Sequence, residues 1–330
     1  MKEKLNTITN SLKNILFWLL LSIGMGFIGG SIGTVFSKTI SFVTDLRTDN
    51  NWLVYFLPVG GLISVAFTKM LKVQEIGTNQ VFESARGENK VSFLLAPAVF
   101  IGSSITHLFG GSAGREGAAL QLGGGFAELL CKIFKIDNIK RGILIRCGMA
   151  AFFSAIFGTP LAASVFALEV ITVGKLIVSG IFPVFTSGIT AYLIAHSLGA
   201  DAERFYFSAN NEISLILIIK VLAISAVGAF ISILFCKSLH FTEKIFKKYI
   251  KNNYLKAIIG GVIIVILTLI VGSNDYNGGG LDVINRIFTD GEVKYESFIL
   301  KIIFTIVTVA AGYKGGEIIP TLFIGSTLGG

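Results

Sequence analysis

Charge is scarce in this chain. Asp, Glu, Lys and Arg make up only 15% of its 330 residues, against about a quarter in a soluble domain. Hydrophobic residues reach 53% and the mean hydropathy is +0.76. A water-soluble globule is therefore excluded, and the composition is that of a polytopic membrane protein. Cysteine is also scarce. The three present, Cys131, Cys147 and Cys236, have no spacing motif and an odd count, which argues against a disulfide framework or a zinc site and for small apolar residues in helices. The three histidines, His107, His196 and His240, are scattered, so no metal and no cofactor is expected. No P-loop or nucleophile elbow appears, and the acid–base constellation of an intramembrane hydrolase is missing. The chain does not read as an enzyme. Its first apolar run, from Ile15, is too long for a cleavable signal and meets no small-residue cleavage site.

What it has is apolar runs, near 15–44, 52–73, 91–112, 116–134, 142–157, 160–173, 176–199, 214–242, 255–273, 295–312 and from 317. Several match the ~20 residues that a spanning helix needs. The runs at 116–134 and 160–173 are short or broken by glycine, as half-helices are. The net charge of +8 is unevenly placed. The connections 1–13, 69–90, 128–146 and 237–256 are net positive, whereas 45–51, 201–212 and 274–294 are net negative. This alternation predicts a cytoplasmic N-terminus (1–14) in a cell-membrane protein. The basic excess suits anionic lipid headgroups and not nucleic acid.

The sequence partly matches itself after a shift of about 200 residues. Val59-Gly60-Gly61 falls on Ile259-Gly260-Gly261, Gly77 near Gly278-Gly279-Gly280, and Gly114-Arg115-Glu116 on Gly315-Gly316-Glu317. The charge count inserts the two copies in opposite senses, which is the inverted-repeat plan of many transporters. The expected division is a first repeat over 15–200, an extracellular connection over 201–212, and a second repeat over 213–330. The second copy has far fewer residues after its glycine turn than the first, so the reading expects it to be incomplete.

Gly110–Gly125, GGSAGREGAALQLGGG, concentrates the chemistry. Charge at membrane depth is costly and marks function. A helix opening there presents free N–H groups and a partial positive charge. Such an opening suits an anion. Glu116, tethered at the opening, is itself an anion that can fill that place and leave on protonation, acting as gate and proton carrier. The bland alternative is a glutamate capping its own helix. Arg115 reads as a counter-charge or vestibule cation and a candidate for anion contact. Gly77, Gly110, Gly111, Gly114, Gly117, Gly315 and Gly316 read as tight turns with reachable N–H groups. Gly123, Gly124 and Gly125, and Gly24, Gly26, Gly29 and Gly30, read as helix packing. Phe82, Phe304 and Phe323 could face the ion path through their positive ring edges, with lipid or core packing as the default reading.

These residues resemble the CLC family of chloride channels and anion/proton antiporters. Gly114-Arg115-Glu116-Gly117 is similar to its GREGP signature, with Ala118 where proline is usual. Gly315-Gly316-Glu317-Ile318-Ile319-Pro320 is similar to GxFxP, and Gly77-Thr78-Asn79-Gln80-Val81 sits where GSGIP belongs. Pro160-Leu161-Ala162 and Phe166-Ala167-Leu168-Glu169-Val170 also resemble the family. The resemblance implies an all-α inverted-repeat fold with broken half-helices meeting at midplane, and a homodimer with one pore per subunit. It implies transport of chloride or fluoride ions and protons. It also adds Thr78, Asn79, Gly316, Glu317, Ile318 and Ile319 to the anion-binding candidates. Thr78 and Asn79 are donors to the ion, or an ordinary helix cap. Glu317 would repel an anion unless protonated, paired or turned away, with Lys314 or a backbone amide as its candidate partner. Asn79 and Gly315-Gly316-Glu317-Ile318 resemble the fluoride-exporting subgroup, whereas Ile319 does not. Val170 stands where chloride/proton exchangers often carry an internal glutamate, and Glu169 reads as a structural, interface residue ahead of a proton relay. Fluoride/proton antiport leads, with a chloride channel or chloride/proton antiporter behind it and a non-transporting membrane scaffold as the reading of another class. On this reading residues 1–330 alone move no anion. Reconstituted beside a version extended by roughly 70–100 residues, the shorter chain is expected to give no flux, and full flux from it would overturn the incomplete-repeat reading.

Overall fold

Hydrocarbon offers no hydrogen bonds, so a chain this apolar must satisfy its backbone internally, and helices do so segment by segment. The computed structural model describes residues 2–73, 77–172, 174, 176–200, 205 and 214–330. Among them are thirteen α-helices. In chain order they are α1 (Lys2–Asp49), α2 (Leu57–Met70), α3 (Thr78–Arg86), α4 (Leu95–Leu108), α5 (Glu116–Ile133), α6 (Asn138–Phe157) and α7 (Pro160–Glu169). Then follow α8 (Ile181–Ser197), α9 (Leu215–Tyr249), α10 (Asn253–Val271), α11 (Leu281–Asp290), α12 (Ser297–Ala310) and α13 (Ile318–Gly329). Among the described residues, five segments are long and apolar enough to cross a membrane, namely Leu12–Asp49, Asn51–Met70, Val178–Ser197, Leu215–Tyr249 and Asn253–Val271. Helices α3, α7, α11 and α13 are 9–12 residues long, too short to span; α7 is the short run expected at 160–173, whereas the run at 116–134 forms the 18-residue α5.

The chain packs as two compact units. The first holds Met1–Thr39, Val73–Phe100 and Ala118–Glu203. There α6 packs against α7, α8 and α3 around Leu144, Met149, Phe152 and Ile156, all fully buried. The second holds Ile40–Lys72, Ile101–Gly117 and Arg204–Gly330. Its α2 packs on α10, so the helices carrying the repeated Gly60-Gly61 and Gly260-Gly261 pairs meet. Its core gathers Leu57, Ile264, Tyr276, Phe304, Tyr313 and Phe323. A second cluster joins Ile231, Phe235 and Leu239 of α9 to Ile302, Ile306 and Ile324.

Three expectations change. Residues 2–13 and 45–49 of two of the expected connections are helical, because α1 runs unbroken through both. The basic stretch 128–146 is not one connection. Arg141 Nε donates to Glu128 Oε2 at 2.9 Å with both residues buried, and Arg146 Nη1 donates to the carbonyls of Ala85 at 3.2 Å and Gly142 at 2.8 Å. Paired and buried, these charges serve packing, since an unpaired charge there would be far costlier. Apart from Phe205, the connection 201–212 lies outside the described residues.

Most packing glycines do pack. Gly26, Gly29 and Gly30 of α1 lie against Thr190, Ala151 and Ile194. Gly123 and Gly148 meet backbone to backbone. Gly24 faces open space, with nothing within 4 Å of a would-be Cβ. Gly148→Ala is expected to cost about 1–3 kcal/mol by overpacking, whereas Gly24→Ala should be neutral or stabilise by up to ~1 kcal/mol through helix propensity. SDS-titrated unfolding in mixed micelles measures both. Equal effects would remove the contact as the reason for Gly148.

Candidate functional site

The GREG turn and the GGE turn meet in the second unit. Gly114 N donates to Gly316 O and Gly316 N to Gly114 O, each at 2.7 Å, forming an isolated antiparallel bridge. Each bridge residue stands two before a helix start, at Glu116 for α5 and Ile318 for α13. Aligned on the bridge, Arg115 of the first copy corresponds to Glu317 of the second, and Glu116 to Ile318. That is one residue on from the register read in the sequence, where a run of glycines leaves the match ambiguous.

The Glu116 side chain crosses this junction. It is fully buried, and its Oε1 accepts the N–H of Ile319 at 2.5 Å. The first turn of α13 has no helical acceptors for its amides, so the carboxylate supplies one and gains from the partial positive charge there. Both bridge glycines are required sterically. A methyl on Gly114 or Gly316 would overlap the Glu116 carboxylate, and one on Gly316 would also stand 2.5 Å from Gly117 N. A side chain at either position would evict the carboxylate or open the bridge.

Sequence reasoning missed the supports of the turns, which obey the same register. Ser112 N donates to Thr308 Oγ1 at 3.0 Å, and Lys314 N donates to Thr106 Oγ1 at 3.2 Å. Gly111 N reaches Thr106 O at 2.8 Å, and Tyr313 N reaches Thr308 O at 3.3 Å. Gly110 and Gly312 both turn through positive φ, 79° and 89°. Each copy's turn is thus held by a threonine, and the turn that leaves α4 is tied to α12 and the reverse. The available signal was a threonine at the same distance before Gly114 and Gly316. Tyr313 Oη lies 2.9 Å from both Leu57 O and Ala257 O and shares its one proton between them, tying the second turn to α2 and α10.

Of the candidate residues, Gly114, Glu116, Gly117, Gly316, Glu317, Ile318 and Ile319 lie together here, with Arg115 buried in the same turn. Thr78 and Asn79 open α3 in the first unit, half-buried and exposed respectively. Neither caps the helix, since the N-cap is Gly77 without a side-chain bond. Gly77 itself is extended, φ −177°, with open space at its Cβ position, so no tight turn requires glycine there. Glu317 is the N-cap of α13 and forms no ion pair with Lys314 among the described residues; its carbonyl accepts Thr321 Oγ1 at 2.7 Å. Phe304 and Phe323 are core residues packed on Tyr276, at ring-centroid distances of 5.7 and 6.2 Å. Glu169 is exposed at the end of α7.

The family model described as "Voltage gated chloride channel" matches residues 60–330. A "Chloride/fluoride channel protein" of Pseudomonas syringae pv. tomato is 30% identical over 320 residues, which is 94% of this chain and 71% of that protein. An "H(+)/Cl(-) exchange transporter ClcA" of Vibrio cholerae serotype O1 is 24% identical over 355 residues, covering 99% of this chain and 75% of that protein. The crystal structure of a CLC-type fluoride/proton antiporter superposes with a TM-score of 0.89 at 30% identity, over 95% of this chain and 80% of that one.

Removing the acceptor at Thr308 strands the buried Ser112 amide. Thr308→Val is therefore expected to cost about 1–3 kcal/mol, and Thr106→Val a similar amount through Lys314 N. Unfolding in mixed micelles checks both. Losses of a few tenths would take the threonines out of the support of the turns.

Proposed function

This chain belongs to the voltage gated chloride channel (CLC) family, and from that premise we propose that it carries small inorganic anions across the membrane in exchange for protons, with fluoride ahead of chloride. The observation that carries this reading is the Glu116 carboxylate, fully buried and bound to the Ile319 amide at 2.5 Å. It occupies a place made for an anion at the start of a helix. An anion and the ionised carboxylate compete for that place. Protonation removes the charge that holds the side chain, so an arriving proton frees the place for an anion and a departing proton reclaims it. One group then serves as gate and proton carrier.

Gly114, Arg115, Gly117, Gly316, Glu317, Ile318 and Ile319 are the proposed surroundings of that ion, and Thr78 and Asn79 its donors elsewhere on the path. Fluoride leads because an amide at Asn79 helps replace the strongly held water of a small ion, and because two relatives at 30% identity carry fluoride in their descriptions. The chloride reading rests on the exchange transporter at 24% identity. A scaffold or an enzyme leaves the buried Glu116 without a task. The same proposal has a homodimer in the lipid bilayer of the cell, cytoplasmic at 1–14, with repeats over 15–200 and 213–330 joined by an extracellular connection at 201–212.

Purified at its natural length and reconstituted in liposomes, the protein is expected to release fluoride faster than chloride to an ion electrode. Equal or greater chloride flux keeps the family and overturns the fluoride reading. Glu116→Gln mimics the protonated acid and cannot release a proton. Proton flux driven by an anion gradient should fall by about a hundredfold or more, while anion flux persists. Wild-type coupling in that variant would refute the proton-carrier role.

A further inference from the structure

Helix α3 cannot hold itself in place. Its sequence, TNQVFESAR, has nine residues, fewer than the ~12–15 that an isolated helix needs. Its N-cap, Gly77, makes no side-chain bond. Its position is therefore set by what it touches. Val81, Ser84 and Ala85 form its buried face. Val81 sits on Gly124 of α5, where a methyl would stand 2.6 Å from Val81 Cγ1. The carbonyl of Ala85 sits on Gly142 of α6, where a methyl would stand 2.5 Å from the oxygen. These contacts all lie within the first unit.

The end of α3 is closed by a cation from another helix. The last carbonyls of a helix lack helical donors. Gly87 N answers Ser84 O at 3.1 Å, and Glu88 N answers Glu83 O at 3.0 Å. Ala85 O is answered by Arg146 Nη1 at 3.2 Å, and the same nitrogen donates to Gly142 O at 2.8 Å. One guanidinium thus pins the end of α3 to the turn of α6 on which it rests. Arg146 is 2% exposed, and among the described residues no carboxylate pairs with it. Glu128 goes to Arg141. A buried cation must find negative charge somewhere, and the C-terminal end of a helix carries it in part. Arg86, in the last turn of α3 itself, is turned to Glu88 Oε1 at 2.6 Å and Ile171 O at 3.3 Å. The buried charge at this end therefore comes from α6.

We propose that Arg146 is a positioning residue for the choice of ion: it fixes one end of α3 and thereby Thr78 and Asn79 at the other. Nine residues at ~1.5 Å each separate the two ends by about 13 Å, and so short a helix moves as one piece. Arg146 itself touches no ion. A shift of α3 at Ala85 carries the Thr78 and Asn79 side chains with it, and a small, strongly hydrated ion tolerates misplaced donors less than a larger one. The effect on ion choice rests on the transport reading and on these two residues as donors, whereas the hold on α3 is measured apart from flux.

Hydrogen exchange of the purified protein in detergent reads the hold directly. Arg146→Gln removes the charge and keeps a polar side chain. The amides of α3 are expected to exchange about tenfold faster in it, with those of α10 unchanged. In liposomes the ratio of fluoride to chloride release should fall about threefold or more. Arg146→Lys keeps the charge on a side chain one bond shorter and should give intermediate values of both. Ser154→Ala loosens the same helix by removing the bond from Ser154 Oγ to Gly188 O, 2.8 Å long, and should leave the ratio as in wild type. Wild-type exchange in Arg146→Gln overturns the proposal. So does a wild-type ratio despite faster exchange, or an equal fall of the ratio in Ser154→Ala. Should Arg146→Gln fail to fold, Arg146→Lys decides, and wild-type exchange of α3 there also overturns it. A wild-type protein that moves no anion in liposomes would reject the transport reading, and the exchange of α3 would still decide whether Arg146 holds it.

Discussion

Two 2.7 Å backbone bonds between Gly114 and Gly316 govern the second unit. They place two helix starts at one point and fix which residues follow on each side. The constraint is severe because a β-carbon at either glycine overlaps the carboxylate between them. A glutamate with no solvent exposure carries a desolvation cost of several kcal/mol. The Ile319 amide offsets part of it through a charge-assisted bond, the stronger kind. The arrangement is stable only while bridge, helix start and carboxylate stay in register. Protonation of the carboxylate would remove the charge that makes the bond strong.

The polar residues inside the apolar helices follow from that junction. Turns at membrane depth free amides that water cannot reach, and each must find an acceptor. Thr106 and Thr308 supply them across the pair, to Lys314 N and Ser112 N. Their own hydroxyls return to Gly102 O at 2.9 Å and Phe304 O at 2.8 Å, so no donor is stranded. The helices are thereby coupled by obligation rather than by attraction alone, since apolar surface gains little from leaving lipid for protein.

Much of this was legible in the sequence, and the limits have physical reasons. Helix content and broken segments follow from run length and composition. Gly114-Arg115-Glu116 stood out because charge in an apolar stretch is rare. The repeat was readable from glycine pairs, but its register was not. Gly114 matches Gly315 or Gly316 equally well by type, and only the backbone bridge chooses between them. Thr106 and Thr308 were invisible because threonine in a membrane helix is common, and only the cross-pairing gives these two a task. Arg141, Arg146 and Glu128 were misassigned to a connection because sequence counts a charge without seeing its partner. Lys301 and Arg47 passed unread for the same reason. One looks like a stray lysine in α12, the other like the end of a helix.

Those two cations bear on how a carboxylate can work as a movable gate. Lys301 feels both Arg47 and Glu116. A buried acid surrounded by neutral groups would hold its proton and never ionise at ordinary pH. One locked in a direct ion pair would stay ionised and never move. Lys301 is tied to carbonyls of the Tyr276–Gly278 loop. The Glu116 carboxylate meets the Ile319 amide at the start of α13, so the charge near the acid and a group that holds it come from different elements of the unit.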